Sequence, residues 1–227
     1  MSQHHHCVQI VPIFNHLDEE SQALISSKAQ HIHYHKGDFI YHAGDVSHSL
    51  YIVHKGMVRL FHMNEDGKEQ LNRILMAGDY LGEWTLFHPN QVHSHYAQVV
   101  KDSEICVIHR EDFQSLLVKY PQISLELLSS LSRRLQEADK HSAQLSIQSV
   151  TSRLALFIAE QDISQEDSQG SLIHLELPKK DIASYLGMSP ETLSRSLRRL
   201  EDQGYLKMIT PKQLLVFDMD ALILADD

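Results

Sequence analysis

The chain has 227 residues, 42% hydrophobic and 22% charged, which suits two ordinary domains of roughly 100–150 residues each. A net charge of −10 argues against a protein that coats nucleic acid through a broad basic surface, and two cysteines exclude a disulfide-dense scaffold and a four-thiolate iron–sulfur cluster. No stretch approaches the ~20 consecutive apolar residues of a membrane span, and residues 1–11 carry no signal-peptide core, so a soluble, cytoplasmic protein with no membrane partner is expected.

In chain order, residues 1–16 are polar and His-rich and are expected to form a loosely ordered, flexible tail. Leu17–Ala29 predicts a short helix, capped by Asp18, with Leu24 and Ile25 on its apolar side. From His31 to His109 short β-branched and aromatic runs alternate with glycine turns: Phe39–Tyr41, Leu50–Val53, Met57–Phe61, Leu71–Leu75, Ala97–Val100 and Ile105–Ile108. Strands at this spacing predict an all-β sandwich or barrel. Gly-Asp recurs at 37–38, 44–45 and 78–79, because glycine accepts positive φ and aspartate caps the turn through its own backbone.

Phe113–Ala159 predicts helix. Leu128, Leu131, Leu135, Ala138, Ser142 and Leu145 repeat at three- and four-residue spacing, which makes one stripe, as in a coiled-coil seam. A helix lying on its own β-domain would show the same stripe over a shorter length; a dimer helix accounts for its full extent. Ile163–Gly170 is polar and acidic and reads as a loop. The expected boundaries are 1–16 tail, 17–112 β-domain, 113–148 dimerisation helix and 149–227 C-terminal domain.

The segment 177–206 carries the function. Pro178 opens a helix over Lys179–Leu186, Ala183 is small where a second helix crosses, and Gly187 suits a left-handed stop. Ser189 caps a second helix that Pro190 begins, with Ile182, Leu186, Met188, Leu193, Leu197 and Leu200 as the shared core. That is helix-turn-helix chemistry, with the second helix offered to the major groove. Its outer face carries Glu191, Thr192, Ser194, Arg195, Arg198 and Arg199. A guanidinium can grip guanine O6/N7, and a carboxylate can accept from cytosine N4. Tyr205–Ile209 and Leu214–Phe217, joined at Thr210-Pro211-Lys212, predict a β-wing, with Lys207 and Lys212 set for phosphate. Residues 179–212 hold seven basic and four acidic side chains, a local positive excess inside an acidic protein. A plain helical hairpin would need neither the caps nor the basic face.

These features together resemble the CRP/FNR family of bacterial regulators. The resemblance covers the glycine-punctuated β-domain, the turn Lys55-Gly56-Met57-Val58-Arg59-Leu60, Gly78-Asp79 leading to Gly82-Glu83, the long helix and the C-terminal domain. It implies an α+β fold: a cyclic-nucleotide-binding-like β-roll (jelly-roll), a long dimerisation helix and a winged helix-turn-helix. Glu191, Ser194 and Arg195 resemble the E-x-x-S-R signature of the FNR branch, which implies a homodimer on a TTGAT...ATCAA palindrome in double-stranded DNA, with RNA polymerase as a further partner. By that resemblance Glu191 and Arg195 read a C·G pair and Ser194 a thymine. Lys179, Lys180, Ser189, Thr192, Arg198 and Lys212 are candidates for phosphate or flanking contacts.

In the cyclic-nucleotide branch a glutamate after glycine binds ribose and an Arg-Ser pair binds phosphate. Here Gly82-Glu83 is followed by His93-Ser94, and a neutral imidazole does not replace a bidentate guanidinium, so no cyclic AMP binding is expected. Cys7 and Cys106 are similar to the cysteine pattern of the FNR-like proteins of low-GC Gram-positive bacteria, which implies a thiol–disulfide switch. An inert buried Cys106 is the plainer reading of that residue alone. Metal sensing stands beside it, since His4, His5, His6 and Cys7 suit Zn²⁺ or a copper ion. A small cyclic-nucleotide-like ligand is a further alternative. His31, His33 and His35 share one strand face, solvated or metal-binding, and their H-x-H spacing raises a cupin-like metal enzyme as a remote alternative. No glutamate stands at the offset a cupin needs, so no catalytic residue is assigned.

Overall fold

The computed structural model describes residues 6–46, 48–88, 91–161, 163–167 and 170–225, with the backbone alone for residues 6, 7, 166 and 167. Two compact units divide the chain, 1–135 and 136–227.

The first unit opens with α1 (His6–Gln9) and α2 (Glu19–Lys28). Asp18 caps α2 as expected, accepting from the Ser21 N–H at 2.8 Å. The flexible-tail expectation for residues 1–16 fails over its described part, because Val8, Val11, Ile13 and Phe14 are fully buried. Val8, Val11 and Phe14 stand three residues apart, but the run is short and broken by Pro12, so only its packing partners define the segment.

Next come β1 (Gln30–Tyr34), β2 (Phe39–Tyr41), β3 (Ser49–Met63), β4 (Glu69–Met76), β5 (Tyr80–Leu81), α3 (Glu83–Phe87), β6 (Tyr96–His109) and α4 (Arg110–Lys119). The sheet is antiparallel, in the order β1-β6-β3-β4, with β2 on β6 and β5 on β3. Two runs expected as separate strands, Leu50–Val53 and Met57–Phe61, are one strand that shifts register between Val53 and Val58. Gly56 causes this: its φ is +102°, and a Cβ there would lie 2.1 Å from Ser103 Oγ and 2.6 Å from the Asp102 carbonyl oxygen. A glycine that reads as a hairpin turn is instead a bulge in a continuous strand. The aspartates of all three Gly-Asp pairs accept the N–H three residues back, at 2.8–2.9 Å.

Alternation along β6 divides the apolar residues between two cores. Ile105 and Val107 face the interior of the roll with Val53, Val58, Leu60 and Leu75. Cys106 and Ile108 face the helical side with Val8, Phe14, Ile25, Phe113 and Leu116.

The single long helix expected over 113–148 is broken. α4 ends before Tyr120, α5 runs Pro121–Ile147, and Ser149 caps α6 (Val150–Ala159). Proline at 121 disfavours helical geometry in the residue before it and supplies no N–H, so it begins a helix here.

The second unit adds β7 (Ile163–Asp167), β8 (Gly170–His174), α7 (Lys179–Tyr185), α8 (Pro190–Asp202), β9 (Leu206–Thr210), β10 (Gln213–Val216) and α9 (Met219–Ile223). Its sheet runs β7-β8-β10-β9. The loop expected over Ile163–Gly170 is corrected: most of it is the edge strand β7, paired with β8. An edge strand with little to bury needs no apolar alternation, which is why its polar sequence reads as loop.

Candidate nucleic-acid interface

The turn between α7 and α8 is built from backbone requirements. Gly187 adopts φ +65°; its N–H donates to Ser184 O at 3.1 Å, and the Met188 N–H donates to Ala183 O at 2.9 Å. This is the paired closure of a helix end on a left-handed residue. A Cβ on Gly187 would also lie 3.0 Å from Leu145 Cδ2. Ser189 then accepts from the Thr192 N–H at 3.2 Å, and Pro190 takes the first helical position. Ile182, Leu186, Leu193, Leu197 and Leu200 are buried, with Met188 packed against them. A second glycine closure, at Gly204 (φ +81°), ends α8 and turns the chain into the wing.

Burying Leu193, Leu197 and Leu200 turns the opposite face of α8 outward. Glu191, Ser194, Arg195 and Arg198 are exposed there, and Thr192 is half-buried. Ser194 Oγ donates to Pro190 O at 2.9 Å, and an Arg195 Nη donates to Thr192 Oγ1 at 3.2 Å. A hydrogen bond from the Ser189 side chain, then one from its own backbone N–H, holds the Glu191 carboxyl below the usual carboxylate range. Glu191 is therefore an acceptor at neutral pH. Lys180 is exposed just ahead of this face, with Lys179 half-buried, and Lys212 is exposed at the β9–β10 turn beside Lys207 on β9. An acid, a hydroxyl and a guanidinium on one exposed helix face, with exposed lysines nearby in the same unit, can meet base edges and phosphates together.

The first unit buries several of its polar groups, Cys106 and His93 among them. Cys106 is fully buried, and its Sγ lies 3.3 Å from His31 Nδ1 on the paired strand β1. Cys7 lies on the backbone of α1, but its side chain, like those of His4, His5 and His6, falls outside the described residues. The histidines of β1 and the turn after it do not converge. His33 Nε2 is 3.8 Å from Glu104 and His35 Nδ1 is 4.0 Å from Asp102, each beside a different residue of β6. Among the described residues no group of three or more His, Cys, Asp or Glu side chains is set to hold a metal ion. On α5, Leu128 and Leu135 are 63% and 65% exposed, Ala138 and Ser142 are exposed, and Leu131 and Leu145 are half-buried.

His93, at the position where the cyclic-nucleotide branch carries arginine, is buried and lies flat on Tyr41, with ring centroids 3.5 Å apart and planes 6° from parallel. Burial pushes its pKa down to about 4. His95, which meets Tyr41 Oη at 2.9 Å, is pushed to about 4 by burial and then by His62 and His93. Both imidazoles are neutral at physiological pH. Glu83 is paired with Arg134 of α5 at 2.7 Å, and that guanidinium also covers the Tyr80 ring at 3.9 Å. Sequence spacing singled out neither Tyr41, His95 nor Arg134. Tyr41 meets His93 and His95, and Arg134 meets Glu83 and Tyr80, each across more than 50 positions of chain.

An exposed, capped second helix after a glycine turn, with a β-wing behind it, defines a winged helix-turn-helix DNA-binding protein. Residues 31–120 match the cyclic nucleotide-binding domain, and residues 152–224 match the Crp-like helix-turn-helix domain. A probable transcriptional regulator, flp, of Lacticaseibacillus casei is 33% identical over 202 residues, covering 88% of this chain and 89% of that protein. The cyclic AMP receptor protein of Thermus thermophilus is 31% identical over 197 residues, 87% of this chain and 88% of that protein. The solved structure of FixK2 from Bradyrhizobium japonicum matches with a TM-score of 0.72 at 25% identity, covering 86% of this chain and 95% of that one. The chain belongs to the CRP/FNR family and is a DNA-binding transcription regulator of that family. The match of residues 31–120 to the cyclic nucleotide-binding domain assigns the β-domain to this regulator family in place of the cupin-like reading. No described helix is long and apolar enough to cross a membrane.

Proposed function

We propose that the protein acts in the cytoplasm as a homodimer on a TTGAT...ATCAA palindrome, each copy reading one half-site with Glu191, Ser194 and Arg195. The carrying observation is the joint exposure of these three side chains on α8, opposite its buried leucines. Lys179, Lys180, Ser189, Thr192, Arg198 and Lys212 take phosphate or flanking contacts, and the bound dimer meets RNA polymerase. The dimer seam is the stripe Leu128, Leu131, Leu135, Ala138 and Leu145, whose exposed leucines a second copy would bury.

The signal is a thiol–disulfide change at Cys7 and Cys106, in which two thiols give two protons and two electrons to an oxidising disulfide or peroxide. Val8, the neighbour of Cys7, shares an apolar cluster with Cys106, which supports this pairing. Zn²⁺ or a copper ion on His4, His5, His6 and Cys7 would be a second input, since a metal on Cys7 blocks its oxidation. Each input acts by changing the population of the DNA-binding arrangement.

A small-ligand signal is the second reading, favoured by the match of residues 31–120 to the cyclic nucleotide-binding domain. With neutral His93 in place of a guanidinium, tight cyclic AMP binding is not expected, and calorimetry with cyclic AMP should show no affinity at micromolar concentration. In-vitro selection of DNA by protein held reduced, oxidised or metal-loaded tests the whole proposal. An FNR-like palindrome enriched in one state and lost in another is expected; enrichment that ignores all three states would remove both the redox and the metal signal.

A further inference from the structure

Within the trio on α8, two members have a fixed hydrogen-bond polarity. Ionised Glu191 only accepts, and Arg195 only donates. A serine hydroxyl has one proton and two lone pairs, so its chemistry alone leaves its partner open. The helix decides. Ser194 Oγ lies 2.9 Å from the Pro190 carbonyl oxygen one turn back, and a carbonyl can only accept, so the hydroxyl proton is committed to the helix. The side chain is exposed, and what remains for a partner is lone pairs.

Resting on the base-reading role given to this trio above, we infer that Ser194 reads its base pair as an acceptor. It takes a hydrogen bond from the exocyclic N6 amine of adenine in the T·A pair, and does not donate to thymine O4. The outer face of α8 then presents acceptor, acceptor and donor at Glu191, Ser194 and Arg195. That pattern complements a cytosine amine, an adenine amine and the guanine O6/N7 pair. Donation to O4 would require the hydroxyl to abandon Pro190, which makes the acceptor mode the one already prepared before DNA arrives.

The test uses the full-length protein and the half-site it selects in vitro, whatever that sequence proves to be. Each adenine in turn is replaced by purine, which lacks the N6 amine, and each thymine by an analogue lacking O4. Either change removes one Watson–Crick bond, so binding is compared between the native protein and Ser194→Ala, which keeps α8 helical because alanine is the best helix former. At one adenine, losing the amine is expected to weaken the native protein roughly five-fold more than the variant, the size of one ordinary hydrogen bond. Removing O4 should weaken both proteins equally at every thymine. Coupling of Ser194 to a thymine O4, or to no adenine, would overturn the inference. Selection of a sequence unrelated to TTGAT would instead remove the palindrome and leave the polarity of Ser194 to be read on the new site. Failure to select any sequence in any state would remove the base-reading role itself.

Discussion

The two units hold their polar side chains in opposite ways. In the DNA-binding unit the chemistry faces outward: Glu191, Ser194 and Arg195 lie on one exposed helix face and are held by partners within four residues, in Ser189, Thr192 and Pro190. In the β-roll unit the chemistry faces inward, and its partners come from distant positions: His93 on Tyr41, Cys106 beside His31, and Glu83 on Arg134. An outward site made of local contacts tolerates change in its scaffold and fails when its own side chains change. An inward site made of remote contacts fails when the fold that assembles it is disturbed.

That contrast can be broken most directly at a glycine of the roll. Gly56→Val forces a side chain into Ser103 and Asp102 at positive φ and is expected to cost about 3 kcal/mol or more in urea unfolding. Gly204→Ala, at φ +81° with open space around it, should cost only about 1–2 kcal/mol. Equal losses would mean that Gly56 is not the tight point of the roll.

Acid sharpens the comparison next. His93 and His95 have folded pKa values near 4 against an ordinary 6.5, so they take up protons only on unfolding in that window. The unfolded state then binds more protons, so stability is full above pH 6.5 and falls as the pH drops towards 4. His93→Phe, which keeps a flat ring against Tyr41, should shallow that slope in a pH series of urea melts.

On the outward side, Arg195→Ala should cost roughly 1–3 kcal/mol on a matched half-site and relax base preference there. Equal losses on matched and scrambled DNA would reduce Arg195 to a phosphate contact. The smallest effect is expected at the cap: Ser189→Ala should destabilise the DNA-binding unit by about 1 kcal/mol, seen in thermal melts without DNA.

The same division decides what was legible before the structure. Ser189, Pro190, Gly187 and the leucines of α8 announced their roles because capping, left-handed turns and helical periodicity act within one or two turns of chain. The Gly-Asp turns were legible for the same reason. Gly56 was seen, but a bulge and a hairpin turn both ask for positive φ, and only the strand paired alongside, with Ser103 and Asp102 against it, distinguishes them. The segment Val8–Phe14 and strand β7 differ from expectation because neither carries a sustained period: the first is defined by the core it fills, the second by hydrogen bonds to β8.

Sequence alone determined the two-part organisation, the helix-turn-helix and the three side chains offered outward, since each follows from backbone geometry and periodicity over short spans. Only the tertiary structure decided that His93 is a buried neutral ring on Tyr41, that Arg134 meets Glu83, and that Cys106 sits beside His31 in the same core as Val8. Those facts depend on which strands pair and in what register. The paired residues lie far apart in the chain, and the contacts they make leave no short-range mark on the sequence.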